Sequence, residues 1–213
     1  MAMQNLDLEE QEQLAELKGW WKDHANLVLG VVAATGFAIA GWQGWNWYQR
    51  SQAFQASALY ETLTKAVQAG DAKAVRDAGG ALVEHYPRTL YASMGALTMA
   101  RFQFDRNDAK SAKAQLQWVL ERSRSEELRD IARLRLAALL LDEKAYDEAL
   151  KVLAEKHGEA FAAQYAAARG DVLAATKQAA EARAAYKLAL EKADPKGEAF
   201  RASVRLRLDA LGG

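Results

Sequence analysis

Between Asp23 and Arg50 the chain carries no Asp, Glu, Lys or Arg, and the run from His24 to Gln49 reads HANLVLGVVAATGFAIAGWQGWNWYQ. At about 1.5 Å per helical residue, roughly 20 residues cross the ~30 Å hydrocarbon core of a bilayer. The run is long enough to span. Leu27, Val28, Leu29, Val31, Val32, Phe37 and Ile39 carry most of its apolar surface. At about −0.3 to −0.6 kcal/mol each, they favour insertion by roughly 2 to 4 kcal/mol. Gln43 and Asn46 are the polar cost, and both lie at the C-terminal end, near interfacial water. Trp42, Trp45, Trp47 and Tyr48 crowd that end while Trp20 and Trp21 flank the other, the two aromatic belts of a spanning helix.

A buried core helix seldom stays uncharged for so long with tryptophans at both ends. A cleaved signal peptide is the stronger rival, because Ala38-Ile39-Ala40 places an A-x-A before Gly41. A signal peptide opens on a basic region, whereas Asp7, Glu9, Glu10, Glu12 and Glu16 dominate here against Lys18 and Lys22. The chain accordingly divides into an acidic tail at 1–24, a transmembrane helix at 25–48 and a body at 49–213. Lys18 and Lys22 on one side, against Arg50 and the more distant Lys65 on the other, lean only slightly towards a tail inside. Charge alone leaves topology open. Gly36, Ala40 and Gly44 recur every four residues and form a small-residue face suited to close packing of a second membrane helix.

From Ser51 onward the composition is helical: alanine-rich, with charges of both signs interspersed and only Pro87 and Pro195 as prolines. No segment sustains period-two alternation with β-branched residues, which argues against strands. Glycines at Gly70, Gly158 and Gly197 fall at expected breaks. The pattern also repeats. Ala112, Ala149 and Ala182 sit inside the similar phrases NDAKSAKAQLQWVL, KAYDEALKVLAEK and KQAAEARAAYKLALEK. Each is preceded by a small residue (Ala100, Ala137, Gly170) and followed by a bulky one (Leu116, Leu153, Tyr186) at constant offsets. A weaker copy centres on Ala74. Intervals of roughly 33 to 38 residues are those of tetratricopeptide repeats. In such repeats small residues mark where paired helices cross, bulky ones fill the gap to the next hairpin, and several hairpins must stack to bury their apolar faces. The expected fold is all-α: one N-terminal transmembrane helix followed by a tetratricopeptide-like stack of helical hairpins.

The absence of cysteine removes disulfides, thiolate catalysis and Cys-based zinc sites. His24, His85 and His157 are far apart in sequence, and His85 and His157 read as helix-end residues. There is no phosphate-cradling glycine loop, nucleophile elbow or HExxH, so neither an enzyme nor a cofactor is expected. The carboxylate pairs Glu126-Glu127, Asp142-Glu143 and Asp147-Glu148 have basic neighbours and read as solvated helix surface, with Asp147-Glu148 suited to a first turn. The tail carries six acidic and two basic residues; with 28 of each in the chain, the body has four more basic than acidic residues. Arg129, Arg133 and Arg135 form one basic cluster and Arg201, Arg205 and Arg207 another. Both read as solvated faces, because a nucleic-acid footprint needs a larger bias with interleaved aromatics.

In EQLAELKGWWKDHANLVLGVVAATGFAIAGWQGWNWYQ an acidic amphipathic stretch, an aromatic pair and a glycine-rich span follow one another. With SQAFQASALYETL, DAKSAKAQLQWVL and AARGDVLAATKQAAEARAAYKLAL, this resembles the YfgM-type ancillary subunits of the bacterial Sec translocon over nearly the whole chain. The resemblance implies a single-pass inner-membrane protein with its tail in the cytoplasm and its repeats in the periplasm. It also implies association with the SecYEG channel and with the membrane-anchored, parvulin-like chaperone PpiD, in the service of secreted proteins that are still unfolded. Asn26 departs from the pattern, standing beside the span where a lysine is expected.

In tetratricopeptide stacks the first helix of each hairpin lines a groove. On the register above, the groove positions include Met94, Leu97, Arg101, Phe104, Ile131, Leu134 and Leu141. Such a groove is mainly apolar, suits an unfolded segment or a partner helix, and lacks the Lys and Asn cluster that clamps a C-terminal carboxylate. The bland alternative is that these side chains are interhelix core. Three functional classes remain: a Sec accessory factor that recruits a chaperone or clients, a membrane-tethered scaffold facing the cytoplasm, and a periplasmic module released after Ala40.

Overall fold

The computed structural model describes residues 8–212, with side chains from residue 12 onward. The expected acidic residue Asp7 lies outside the described residues, and the side chains of Glu9 and Glu10 are likewise not described. Among the described residues there is no strand. Helix α1 runs Leu8–Ala69, followed by α2 (Ala72–His85), α3 (Leu90–Phe104), α4 (Ala109–Arg122), α5 (Glu126–Asp142) and α6 (Tyr146–Ala154). A 3-10 turn at Glu159–Phe161 leads into α7 (Ala162–Ala175), α8 (Ala179–Lys192) and α9 (Glu198–Asp209). Two compact units result, Met1–Ser51 and Gln52–Gly213.

In the first unit, helix α1 shows its apolar side chains all round. Leu27, Leu29, Val31, Val32, Phe37, Ile39, Trp42 and Trp47 are each more than half exposed, Phe37 at 81%. A core helix would bury them, so a bilayer is the solvent this surface fits. Thr35 folds its Oγ1 back onto the Val31 carbonyl at 2.8 Å, so its hydroxyl adds no unpaired donor to the span.

The second unit packs residues 52–69 of α1 into one apolar cluster with α2 and α3, then pairs α3 with α4, α5 with α6 and α7 with α8, leaving α9 against α8. The turns inside the hairpins share one backbone device. Gly70, Asn107, Lys144 and Lys177 adopt left-handed conformations with φ of 69, 62, 60 and 62°, at intervals of 37, 37 and 33 residues. In each, the left-handed residue donates to the carbonyl three back and its successor to the carbonyl five back, as Asn107 to Phe104 and Asp108 to Gln103, both at 2.9 Å. This is a Schellman closure of the first helix. Its successor residue then serves as N-cap of the second helix: Asp71 Oδ1 accepts from Lys73 and Ala74 N–H, and Asp108 Oδ1 from Ser111 N–H.

The buried positions follow the expected small-and-bulky pattern. Ala112, Ala149 and Ala182 are fully or almost fully buried, as are Ala100, Ala137, Leu116 and Tyr186. The first repeat differs by one residue. Ala74 is only half-buried, and Val75 holds the place four residues past the N-cap that Ala112, Ala149 and Ala182 hold in theirs. Here the bulk comes from the facing helix: Met99 of α3 lies where a Cβ on Gly79 would stand. At Gly170 an added Cβ would stand 2.5 Å from Tyr186 Cε1, which is why only glycine lets α7 approach α8 there. Tyr186 cannot swing away, because its OH donates to Asp171 Oδ1 at 2.8 Å and Arg207 grips the same carboxylate with both oxygens.

Lysine in the left-handed region costs about 1–2 kcal/mol, and replacement by glycine returns part of that as unfolded-state entropy. Lys144 and Lys177 are both exposed. Lys144→Gly and Lys177→Gly should therefore each stabilise the repeat unit by roughly 0.5–1 kcal/mol. Denaturant midpoints against the corresponding alanine variants check this; equal midpoints would show that the turns are unstrained.

Candidate functional site

Helices α3, α4 and α5 line an open cavity of about 150 Å³. Alanines 100, 112 and 138 leave the space, and Leu116 and Leu139 give it apolar walls. Phe104 stands at the edge, 42% exposed, and Arg101 and Arg135 complete the lining. Arg101 is tied along its own helix to Asp105, Nε to Oδ2 at 2.8 Å. Arg135 reaches across to α3 and donates from Nη1 to the Leu97 carbonyl at 3.1 Å. Burial, and then the neighbouring Arg101 charge, lowers the Arg135 pKa from its ordinary value.

Of the expected groove residues, the structure brings Arg101 and Phe104 together on this cavity. Leu97 is folded into the core, and Ile131, Leu134 and Leu141 are half-buried against it. Met94 is half-buried and its carbonyl accepts from Thr98 Oγ1 at 2.9 Å. On α1, a Cβ added at Gly36 or Gly44 meets nothing within 4 Å, and Ala40 is exposed between them, so that face is uncovered among the described residues.

Arg135 is the cavity residue that sequence reasoning assigned elsewhere, to a solvated basic cluster. The signal was its place in the row Ile131, Arg135, Ala138, Leu139, a lone cation on an otherwise apolar helix stripe. Other members of the two basic clusters are also engaged rather than solvated. Arg129 pairs with Glu126, Arg133 with Asp130 at 2.9 Å and Arg207 with Asp171 at 2.7 Å, while Arg201 caps α8 through the Leu190 carbonyl at 2.8 Å.

A second polar centre lies at the start of α7. Asp130 of α5 is 1% exposed. Its Oδ1 accepts from Tyr165 OH at 3.0 Å and Arg133 Nη1 at 2.9 Å, and its Oδ2 from Gly158 N–H at 2.9 Å. Burial, and then the bond to Asp130, pushes the Tyr165 phenol well above its ordinary range. His157 is not at a helix end. It lies in the loop after α6, stacked on Tyr165 with ring centres 4.1 Å apart. His85 does close its helix, α2. Asp147 and Glu148 occupy the first turn of α6, as their charge suits. Among the described residues no group of three carboxylates or imidazoles gathers as a metal site would.

Residues 18–213 match the tetratricopeptide repeat-like domain family. Three curated proteins named ancillary SecYEG translocon subunit are similar to the chain. That of Neisseria gonorrhoeae is 30% identical over 208 residues, which is 96% of this chain and 98% of the relative. That of Haemophilus influenzae is 32% identical over 165 residues, 78% of this chain and 80% of the relative. That of Escherichia coli is 32% identical over 178 residues, 83% and 85% of the two chains.

Proposed function

The chain belongs to the family of ancillary SecYEG translocon subunits, and on that footing we propose that it serves the Sec translocon from the membrane as an accessory factor that recruits a chaperone or assists newly translocated proteins. The observation that carries this reading is the near end-to-end alignment with the gonococcal relative, which takes in the anchor and the repeats together. Residues 1–24 form a cytoplasmic tail, 25–48 span the inner membrane, and 49–213 stand in the periplasm. The uncovered apolar surface of α1 supports the anchor. The chain works by binding rather than by catalysis.

The partners are the SecYEG channel, the parvulin-like chaperone PpiD implied by the resemblance, and unfolded segments of secreted proteins. The first-helix face around Phe104 is where such a segment docks, with Arg101 and the half-buried Met94, Ile131, Leu134 and Leu141 beside it and Leu97 beneath. In the membrane, the Gly36, Ala40 and Gly44 face takes a neighbouring helix.

Protease treatment of spheroplasts, with the chain tracked from both ends, tests the orientation. Loss of the C-terminal unit without lysis, together with SecYEG in detergent co-isolates, is the expected result. Protection until lysis would make the protein a cytoplasm-facing scaffold. A mature N-terminus at Gly41 would make it a released periplasmic module.

A further inference from the structure

Several arginines on the repeat unit's helices answer to a carboxylate or a helix end, as do Arg101, Arg129, Arg133, Arg201 and Arg207. Arg135 does not. Its one hydrogen bond runs to the Leu97 carbonyl, and among the described residues no carboxylate comes within ion-pair reach. Its exposed guanidinium has five donors, and a bidentate carboxylate matches its fork. Beside it lies an apolar space of about 150 Å³ with Phe104 at the edge. An apolar cavity of that size holds one benzene-sized group. The guanidinium at its wall suits a carboxylate-bearing peptide better than a bare acyl chain, which sets a lipid aside.

We propose that this cavity is a two-point subsite for a partner protein's peptide segment, taking one bulky apolar side chain into the space beside Phe104 and a neighbouring Asp or Glu side chain onto Arg135. The inference rests on the proposed role in binding partner or client segments, and gives that role a sequence preference. A side-chain carboxylate fits better than a chain terminus. Arg101 is already neutralised by Asp105, so a single uncommitted fork remains rather than the several converging donors that capture a terminus. The preference is also selective against a basic neighbour. A lysine beside the apolar residue would meet the uncommitted Arg135, and the like charges would repel it.

The test uses the full chain in lipid nanodiscs and fluorescent Gly/Ser peptides blocked at both ends, carrying Leu-Ser-Glu, Leu-Ser-Gln or Ser-Ser-Glu. The Leu-Ser-Glu peptide should bind about tenfold more tightly than Leu-Ser-Gln, the range of one charge-assisted hydrogen-bond pair. Ser-Ser-Glu should bind weakest, because the cavity stays empty. Arg135→Gln should abolish the preference for Glu over Gln while leaving the Leu-Ser-Gln affinity in place, and Arg135→Lys should retain part of it. Equal affinities on the wild-type chain need no variant to be decisive and overturn the proposal. So would an unchanged preference in Arg135→Gln, tighter binding of a peptide ending in a free Leu carboxylate, or no saturable binding at millimolar peptide. SecYEG co-isolation from the same cells separates the two ideas. Retained SecYEG without peptide discrimination sinks the subsite alone, whereas absence of SecYEG sinks the accessory role.

Discussion

Phe37→Lys should strip the protein from the membrane. The apolar residues of the span favour insertion by roughly 2 to 4 kcal/mol, and a lysine at the helix centre costs about 2.5–3.5 kcal/mol before the phenyl contribution is subtracted. Phe37 sits near the middle of the uncharged run and is 81% exposed, so no neighbouring side chain of this chain shields the new charge. Carbonate extraction of membranes would read the result: wild type in the pellet, most of the variant in the supernatant. SecYEG co-isolation should fall with it. Trp47→Lys is the control, since it lies in the aromatic end of the run, where a long cation can reach the interface. If Phe37→Lys pellets like wild type, the span is held by something other than its own transfer energy.

Asp130→Ala should be the most damaging single change in the repeat unit, at about 3–5 kcal/mol. The substitution leaves the Arg133 guanidinium, whose side chain is 17% exposed, without its counter-charge, and orphans Tyr165 OH and Gly158 N–H at the same time. Domains have only about 5–15 kcal/mol to lose. A melting temperature lower by about 10 °C or more is expected for the detergent-solubilised chain. Asp130→Asn keeps the shape and one oxygen for Tyr165 and Arg133 but loses the charge and turns an NH2 donor on the Gly158 N–H, so it should lose somewhat less than the alanine variant. A drop of under a degree for Asp130→Ala would mean that the loop after α6 is held by packing rather than by this carboxylate.

The span and the hairpin stack were legible for the same reason: burial in a helix is periodic and writes itself into the sequence. Ala112 with Leu116, and Ala182 with Tyr186, carry their own repeat register, so small and bulky partners lie on one helix and are seen together. The first repeat splits that pairing between Gly79 on α2 and Met99 on α3, which is why the eye settles on Ala74 and misses Val75 by one. Gly70 and Asn107 announce left-handed turns, but Lys144 and Lys177 perform the same turn with a residue type that signals nothing. Asp130 was unreadable because its partners come from 28 and 35 residues away. The cavity lay half in view: Arg101 and Phe104 follow from the register, whereas Arg135 was hidden among the basic residues of its own helix.

Helix α7 faces two ways. Tyr165 and Val172 belong to the apolar cluster that runs back to α1, while Ala166, Ala167 and Leu173 belong to a second one shared with α8 and α9, the two meeting at Leu150. Cooperativity in a stack passes only between neighbours, so this division acts as a firebreak. Fraying that starts at the C-terminal end can consume α9 and the α7–α8 hairpin and halt at α6, with the cavity between α3 and α5 still built. The chain can thus lose its last hairpin to heat, to a protease or to a competing partner, and keep the cavity proposed as its peptide subsite.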